Sequence, residues 1–177
     1  YNREYSATGY SIRYDGPALS EGKLQKAHLA KGAVQSSQGF VFNLDRPMFQ
    51  DRRVREALSL LWDFEWTNRQ MMRNMYIRQN SYFSNSPLAA SELPTPAELA
   101  ILEPLRGSVP PEVFTKVFHI SKTDGSGLIR GKQLQALGLL EEAGWMPKGD
   151  ELVNDKGEAL SFTFLNGQAG FERLLLP

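Results

Sequence analysis

An α/β fold is what this sequence predicts, and three observations predict it. A short run rich in β-formers, Gly39-Phe40-Val41-Phe42-Asn43-Leu44, reads as a buried strand. It is followed closely by Val54, Ala57, Leu58, Leu61 and Trp62 at helical spacing, an apolar stripe with Arg52, Arg55, Glu56 and Ser59 facing elsewhere. Further on, a leucine-rich helical stretch leads into a polar turn and a cleanly alternating run. Helical and strand patterns therefore intermingle along the chain.

Taken in order, residues 1–37 are polar and contain glycine, with short strand-like pieces at Ser11 to Tyr14 and Leu24 to Leu29. They are expected to cross the surface before residues 38–177 form the α/β part. Asp45-Arg46-Pro47 ends the first strand, and Asp51 is a good N-cap for the helix that follows. A second helix is expected from Asp63 or Thr67 through Met71, Met72 and Met75. Residues 79–94 lack periodicity and hold Asn, Ser and Pro, so they read as a loop, with an aromatic pair, Tyr82 and Phe83, in a polar setting.

Thr95-Pro96-Ala97-Glu98 is a capping box with proline at the first helical position. Ser108 to Pro111 reads as a turn, Val113 to Ile120 as a strand or extended segment, and Asp124-Gly125-Ser126-Gly127 as another turn. A helix from about Leu128 to Ala143 would place Leu134, Leu137, Leu140 and Ala143 on one face, with Gly144 as a left-handed cap. Leu152-Val153, the turn Asn154 to Gly157, and Leu160 to Leu165 read as a β-hairpin with Leu160, Phe162 and Phe164 on one face. The final run, Phe171 to Leu176, reads as the start of an amphipathic helix, and both ends look cut from something longer.

Composition narrows the function. Lys plus Arg and Asp plus Glu number 20 each, for a formal net charge of +0, whereas a chain that tracks a phosphate backbone carries a basic excess. Nucleic acid is therefore not an expected partner. The absence of cysteine removes disulfides, thiolate metal sites and cysteine nucleophiles. His28 and His119 stand far apart in dissimilar surroundings and suggest no metal pair. No apolar run is long enough to span a bilayer as a helix.

A search for reactive chemistry returns little. There is no Gly-x-Ser-x-Gly elbow, and Asp124 to Gly127 lacks the Lys-Ser/Thr that a triphosphate loop requires. Asp150, Glu151, Asp155 and Glu158 surround a solvated hairpin and have no apolar neighbours to push their pKa values apart. The cluster Asp51-Arg52-Arg53-Val54-Arg55 reads as a solvated helix start with paired arginines, or as an anion-binding start. Met71, Met72 and Met75 read as core. No catalytic residue, metal site or cofactor is expected.

The residues from Gly39 to Asp63 carry a resemblance. Gly39-Phe40-Val41-Phe42-Asn43, then Arg46-Pro47-Met48-Phe49-Gln50-Asp51-Arg52-Arg53-Val54-Arg55-Glu56-Ala57-Leu58, then Asp63, resembles the extracellular solute-binding proteins of family 5, receptors for oligopeptides, dipeptides and related ligands. Asp63 to Asn68, Ser81 to Ser86, Leu99 to Pro104 and the Glu-Ala-Gly-Trp ending at Trp145 are similar to the YejA-type branch of that family. The resemblance implies part of the second lobe of a type II periplasmic binding protein, a mixed sheet with flanking helices. It implies a non-enzymatic, periplasmic component of an ABC importer that closes on a peptide or peptide-like ligand and docks on a membrane permease. The ligand-facing residues expected are Gln38, Asn43, Tyr82, Phe83 and Asn85. A dimer through apolar surface left uncovered in a fragment is also expected. The competing expectation is an intracellular interaction domain whose arginine-rich helix meets an acidic partner.

Overall fold

The computed structural model describes Glu4 and residues 9–27, 29, 32–34, 37–167, 172 and 174. In chain order it contains α1 (Pro17–Ser20), α2 (Pro47–Gln50), α3 (Arg52–Leu60), α4 (Phe64–Met71), α5 (Pro96–Leu102), α6 (Arg130–Glu142), β1 (Met146–Lys148) and β2 (Glu151–Val153). A π-helical turn at Gly9–Arg13 and 3-10 turns at Glu103–Leu105 and Pro111–Phe114 complete the regular structure. The chain divides into two compact units: residues 1–38 with 75–121, and residues 39–74 with 122–177.

The second unit carries the core. Val54 and Ala57 of α3 are fully buried, and Leu60, Ala136, Leu140, Phe49 and Trp145 join them. These residues form one cluster, with α3 packed on α6 and Phe42, Leu58, Leu139, Ala143, Leu152 and Leu160 around its margin. The stripe on α3 is Val54, Ala57, Leu60 rather than the predicted set ending at Leu61 and Trp62; Leu61 lies beyond the last helical residue and is exposed. On α6 the buried face is Ala136, Leu139, Leu140 and Ala143, and Leu134 is exposed. Small Ala57 and Ala136 admit close approach of the two helices, which selects that face over the bulkier leucine row.

Termini follow from local chemistry. Asp51 accepts from the Arg53 amide at 2.8 Å and Asp63 from the Trp66 amide at 2.9 Å, satisfying orphan donors at the starts of α3 and α4. α4 stops at Met71, short of the predicted Met75, because Arg73 (φ 55°) and Asn74 (φ 57°) turn left-handed and the Asn74 amide closes back on the Asn68 carbonyl at 2.9 Å. Gly144 (φ 90°) ends α6 as predicted, and the Trp145 amide returns to the Leu140 carbonyl.

The expected mixed sheet is absent among the described residues, and a two-stranded antiparallel sheet stands in its place, with Met146 opposite Val153 and Lys148 opposite Glu151. The turn Asn154 to Gly157 forms as predicted, but β2 takes β1 as its main partner. A bridge from Val153 to Ala159, the Leu160 amide to the Leu152 carbonyl and, at the turn, the Asn154 amide to the Glu158 carbonyl remain of the second arm. β2 has three residues, so its edge offers that arm nothing beyond Ser161, which would face Glu151. Gly39 to Leu44 is likewise no strand: it joins no ladder among the described residues, Leu44 already turns, and Val41 is 94% exposed. The alternation is nonetheless obeyed. Phe40 meets Trp62 and Phe164 at ring distances of 5.6 and 5.0 Å, and Phe49 meets Phe42 and Phe162 at 5.1 and 5.4 Å.

The first unit is built differently. Its helix α5 starts with the predicted capping box: Thr95 Oγ1 accepts from the Glu98 amide, and Glu98 Oε2 accepts from the Thr95 amide at 2.7 Å. Arg106 then pairs with Glu103 and lies 3.8 Å from the Phe114 ring centroid. The segment Val113 to Ile120 begins in the end of a 3-10 turn and continues without regular structure. Lys26 pairs with Asp15 in the same unit. Of the predicted strand-like pieces, Ser11 to Tyr14 is a π-helical turn and its exit, and the described part of Leu24 to Leu29 joins no strand. Of the predicted helix at Phe171 to Leu176 only Glu172 and Leu174 are among the described residues, and His28 lies outside them.

Candidate functional site

The expected ligand-facing residues fall on two units. Tyr82, Phe83 and Asn85 share one turn of the first unit, while Gln38 is an exposed residue elsewhere in that unit and Asn43 belongs to the second. Asn43 acts locally, its Oδ1 accepting from the Asp45 amide at 3.0 Å in an Asx turn that steers the chain into α2.

The turn from Gln79 to Leu88 is fixed by short polar side chains acting on backbone. Ser81 Oγ accepts from the Phe83 amide at 3.2 Å, Ser84 Oγ donates to the Ser81 carbonyl at 2.7 Å, and Ser86 Oγ donates to the Phe83 carbonyl at 2.7 Å. Asn80 Oδ1 accepts from the Ile120 amide at 2.9 Å, and Asn85 Nδ2 donates to the Ala33 carbonyl at 2.7 Å. Asn85 sits at φ 59°, a left-handed conformation that asparagine tolerates. The product is a pinned turn whose Tyr82 ring is 86% exposed and whose Phe83 ring is about half exposed.

A second polar cluster lies where α4 begins. Thr123 Oγ1 donates to Asp63 Oδ1, the Thr123 amide donates to Glu65 Oε2 at 3.1 Å, and the Gly127 amide donates to Asp63 Oδ2 at 3.2 Å. Asp63 thus caps α4 and holds the loop that leads to α6. The loop's glycines are needed there: a Cβ on Gly125 (φ 70°) would meet the Arg69 guanidinium at 2.8 Å, and one on Gly127 (φ 82°) would meet the Trp66 indole at 3.0 Å. Hydrogen bonds from Ser126 hold the Asp124 carboxyl below the usual aspartate range. Beside this loop is an open cavity of about 460 Å³ whose lining includes Lys122, Asp124, Ile129 and Lys132.

The arginine-rich helix start is occupied with structure. Arg53 clamps Asp51 at 2.6 Å and donates to the Glu142 carbonyl at the end of α6 at 2.6 Å, while Arg55 donates to the Phe49 and Gln50 carbonyls. The Arg53 hydrogen bonds lower the Asp51 pKa, and the same pairing raises that of Arg53. Two of the three arginines offered to an acidic partner are therefore already engaged. Among the described residues, no group of three His, Asp or Glu side chains could hold a metal, and no helix is long and apolar enough to cross a membrane.

Comparison with known proteins settles the lineage. The family model described as bacterial extracellular solute-binding proteins, family 5 Middle, matches residues 6–175. The chain belongs to that family. It is 38% identical over 175 residues to YejA of Escherichia coli strain K12, covering 98% of this chain and 29% of that protein. It is 37% identical over 180 residues to the probable peptide-binding protein YejA of Agrobacterium fabrum, covering 100% of this chain and 29% of that one. A further relative, the peptidoglycan-binding protein YepA of Agrobacterium fabrum, is 33% identical over 164 residues, 92% of this chain and 27% of that protein. The chain thus spans less than a third of the length of these relatives.

Within this family frame, the Asp51–Leu58 motif is explained by its contacts: it caps α3, buries Val54 and Ala57, and ties α3 to α6 through Arg53. Sequence reasoning missed the Asp63 cluster and the β1–β2 turn. Gly149-Asp150, a two-residue glycine turn flanked by the oppositely charged Lys148 and Glu151, was the signal for the latter.

Proposed function

We propose that this chain is part of the ligand-capturing component of an ABC importer, which takes up peptides or peptide-like compounds. The observation that carries the reading is the pinned turn of Tyr82 and Phe83, two exposed rings on an ordered scaffold in a chain of a solute-binding family. Exposed, immobilised aromatics supply large contact area at little further entropy cost. The relatives named for peptide and peptidoglycan binding support the ligand class. Catalysis has no part in this reading: capture works by binding the closed state more tightly than the open one. The closed receptor then docks on a permease, in the periplasm. Tyr82, Phe83, Asn85 and Gln38 are the ligand-facing residues of the first unit, and Asn43 is that of the second. The runs Gly39 to Leu44 and Leu160 to Leu165, which alternate aromatic and outward residues but form no strand among the described residues, take up sheet partners only in the complete polypeptide, as part of the second lobe of a type II binding-protein fold.

The test is calorimetric titration of the complete polypeptide that carries this chain against a diverse set of short peptides. Saturable binding by members of the set is expected. No binding across the set overturns the proposal.

A further inference from the structure

We infer that Asn80 is a positioning residue for peptide capture: its side-chain carbonyl latches the Tyr82–Phe83 turn to the Ile120 backbone, and the rings stand in a fixed place only while that latch holds. This rests on the capture reading above. The first observation separates two kinds of bond. Ser81, Ser84 and Ser86 bond to backbone of the turn itself, which fixes its shape but not its place in the unit. Place depends on bonds that leave the turn. Asn80 Oδ1 accepts from the Ile120 amide at 2.9 Å, and Asn85 Nδ2 donates to the Ala33 carbonyl at 2.7 Å. Just before the turn, Arg78 donates to the Ser121 carbonyl at 3.3 Å.

The second observation is which of these bonds matters most. No large apolar side chain of the first unit is buried among the described residues, so packing does not hold the turn. The Asn85 bond is exposed, where water competes for both partners, and the Arg78 bond is the longest of the three. The Asn80 bond is half-buried, and its loss leaves the Ile120 amide without that acceptor in a place partly closed to water. Its direction is informative as well. The Ile120 backbone can only donate, so the carbonyl half of the Asn80 carboxamide makes the bond. Aspartate keeps an acceptor oxygen there, whereas leucine, of similar shape, keeps none. Rings ordered before the peptide arrives lose less conformational entropy on binding, so affinity depends on Asn80 although Asn80 need not touch the peptide.

The experiment uses the complete polypeptide carrying this chain, titrated calorimetrically with whichever peptide of the short-peptide set the unmutated protein binds most tightly. Asn80→Leu, Asn80→Asp, Tyr82→Ala and the double variant Asn80→Leu with Tyr82→Ala are titrated alongside. Expected is a loss on the order of tenfold in Asn80→Leu, with affinity retained in Asn80→Asp. In the Tyr82→Ala background Asn80→Leu adds little further loss, because the latch acts through the ring it positions. A purely structural role would not give that coupling: a variant that merely weakens the fold loses affinity in both backgrounds. Unchanged affinity in Asn80→Leu, equal losses in Asn80→Leu and Asn80→Asp, or additive losses in the double variant each overturn the latch and leave peptide capture standing. If no peptide of the set binds the unmutated protein, the capture reading itself is overturned and this inference falls with it.

Discussion

The two units of the chain are stabilised by different physics. Every buried apolar side chain among the described residues belongs to the second unit, where α3 and α6 meet; the first contributes none. In the first unit Ile77, Leu88, Ile101 and Phe118 are exposed, and order comes from caps, serine and asparagine turns and the Arg106–Glu103 pair. The difference teaches that order has two sources in this chain. Core packing orders the second unit, whereas side-chain-to-backbone bonds hold a turn of the first in place without hiding its rings.

Truncation should expose this contrast most strongly. Leu140→Ala, in the α3–α6 core, is expected to cost about 2–5 kcal/mol, while Ile101→Ala on α5 stays within about 0.5 kcal/mol, both read by urea unfolding. Comparable losses at the two sites would mean that the first unit has a core of its own. Next in size is Gly125→Ala. A left-handed backbone and a 2.8 Å approach to the Arg69 guanidinium combine to predict a loss of about 1–2 kcal/mol or more. Thr95→Ala removes one half of the capping box and should cost about 1 kcal/mol, seen as lost helicity confined to α5.

Acid provides a gentler probe. The Thr95 amide and hydroxyl hold the Glu98 carboxyl below 4.5, and the Arg53 side chain and amide hold Asp51 below 3.8. Folded-state values below the unfolded ones mean that each contribution is complete above the ordinary carboxylate range and is lost as pH falls through the depressed value. Both groups are exposed, so the effect is small. It should appear as fraying of the starts of α5 and α3 in acid while the α3–α6 contact persists. The least effect is expected from Trp62→Phe. The Trp62 indole N–H is buried with no partner among the described residues, so removing it offsets the smaller ring, and stability should change by about 1 kcal/mol or less.

Much of this was legible in the sequence wherever the cause was local. Asp51, Thr95-Pro96-Ala97-Glu98 and Gly144 each announce a helix end, because a cap depends on a few neighbouring residues. Val54 and Ala57 follow from helical spacing, and the motif around them identified the family. What failed depended on distant partners. Gly39 to Leu44 has a strand's alternation, but a strand needs a neighbour, and none pairs with it among the described residues. The buried face of α6 includes Ala136 in the cluster shared with Val54, Ala57 and Leu60 of α3, which no pattern within α6 alone reveals. Asp63 hid its second role because Thr123 and Gly127 lie remote in sequence. For the site, an aromatic pair in a polar loop was visible, but the serines that fix it were readable only as loop composition.

Amide hydrogen exchange of the complete polypeptide, with and without a bound short peptide, tests the division of labour most directly. The account predicts that the peptide slows exchange across Gln79 to Leu88 and leaves α3 and α6 at their already slow rates. Slowing at α3 and α6 with none at Gln79 to Leu88 would contradict it.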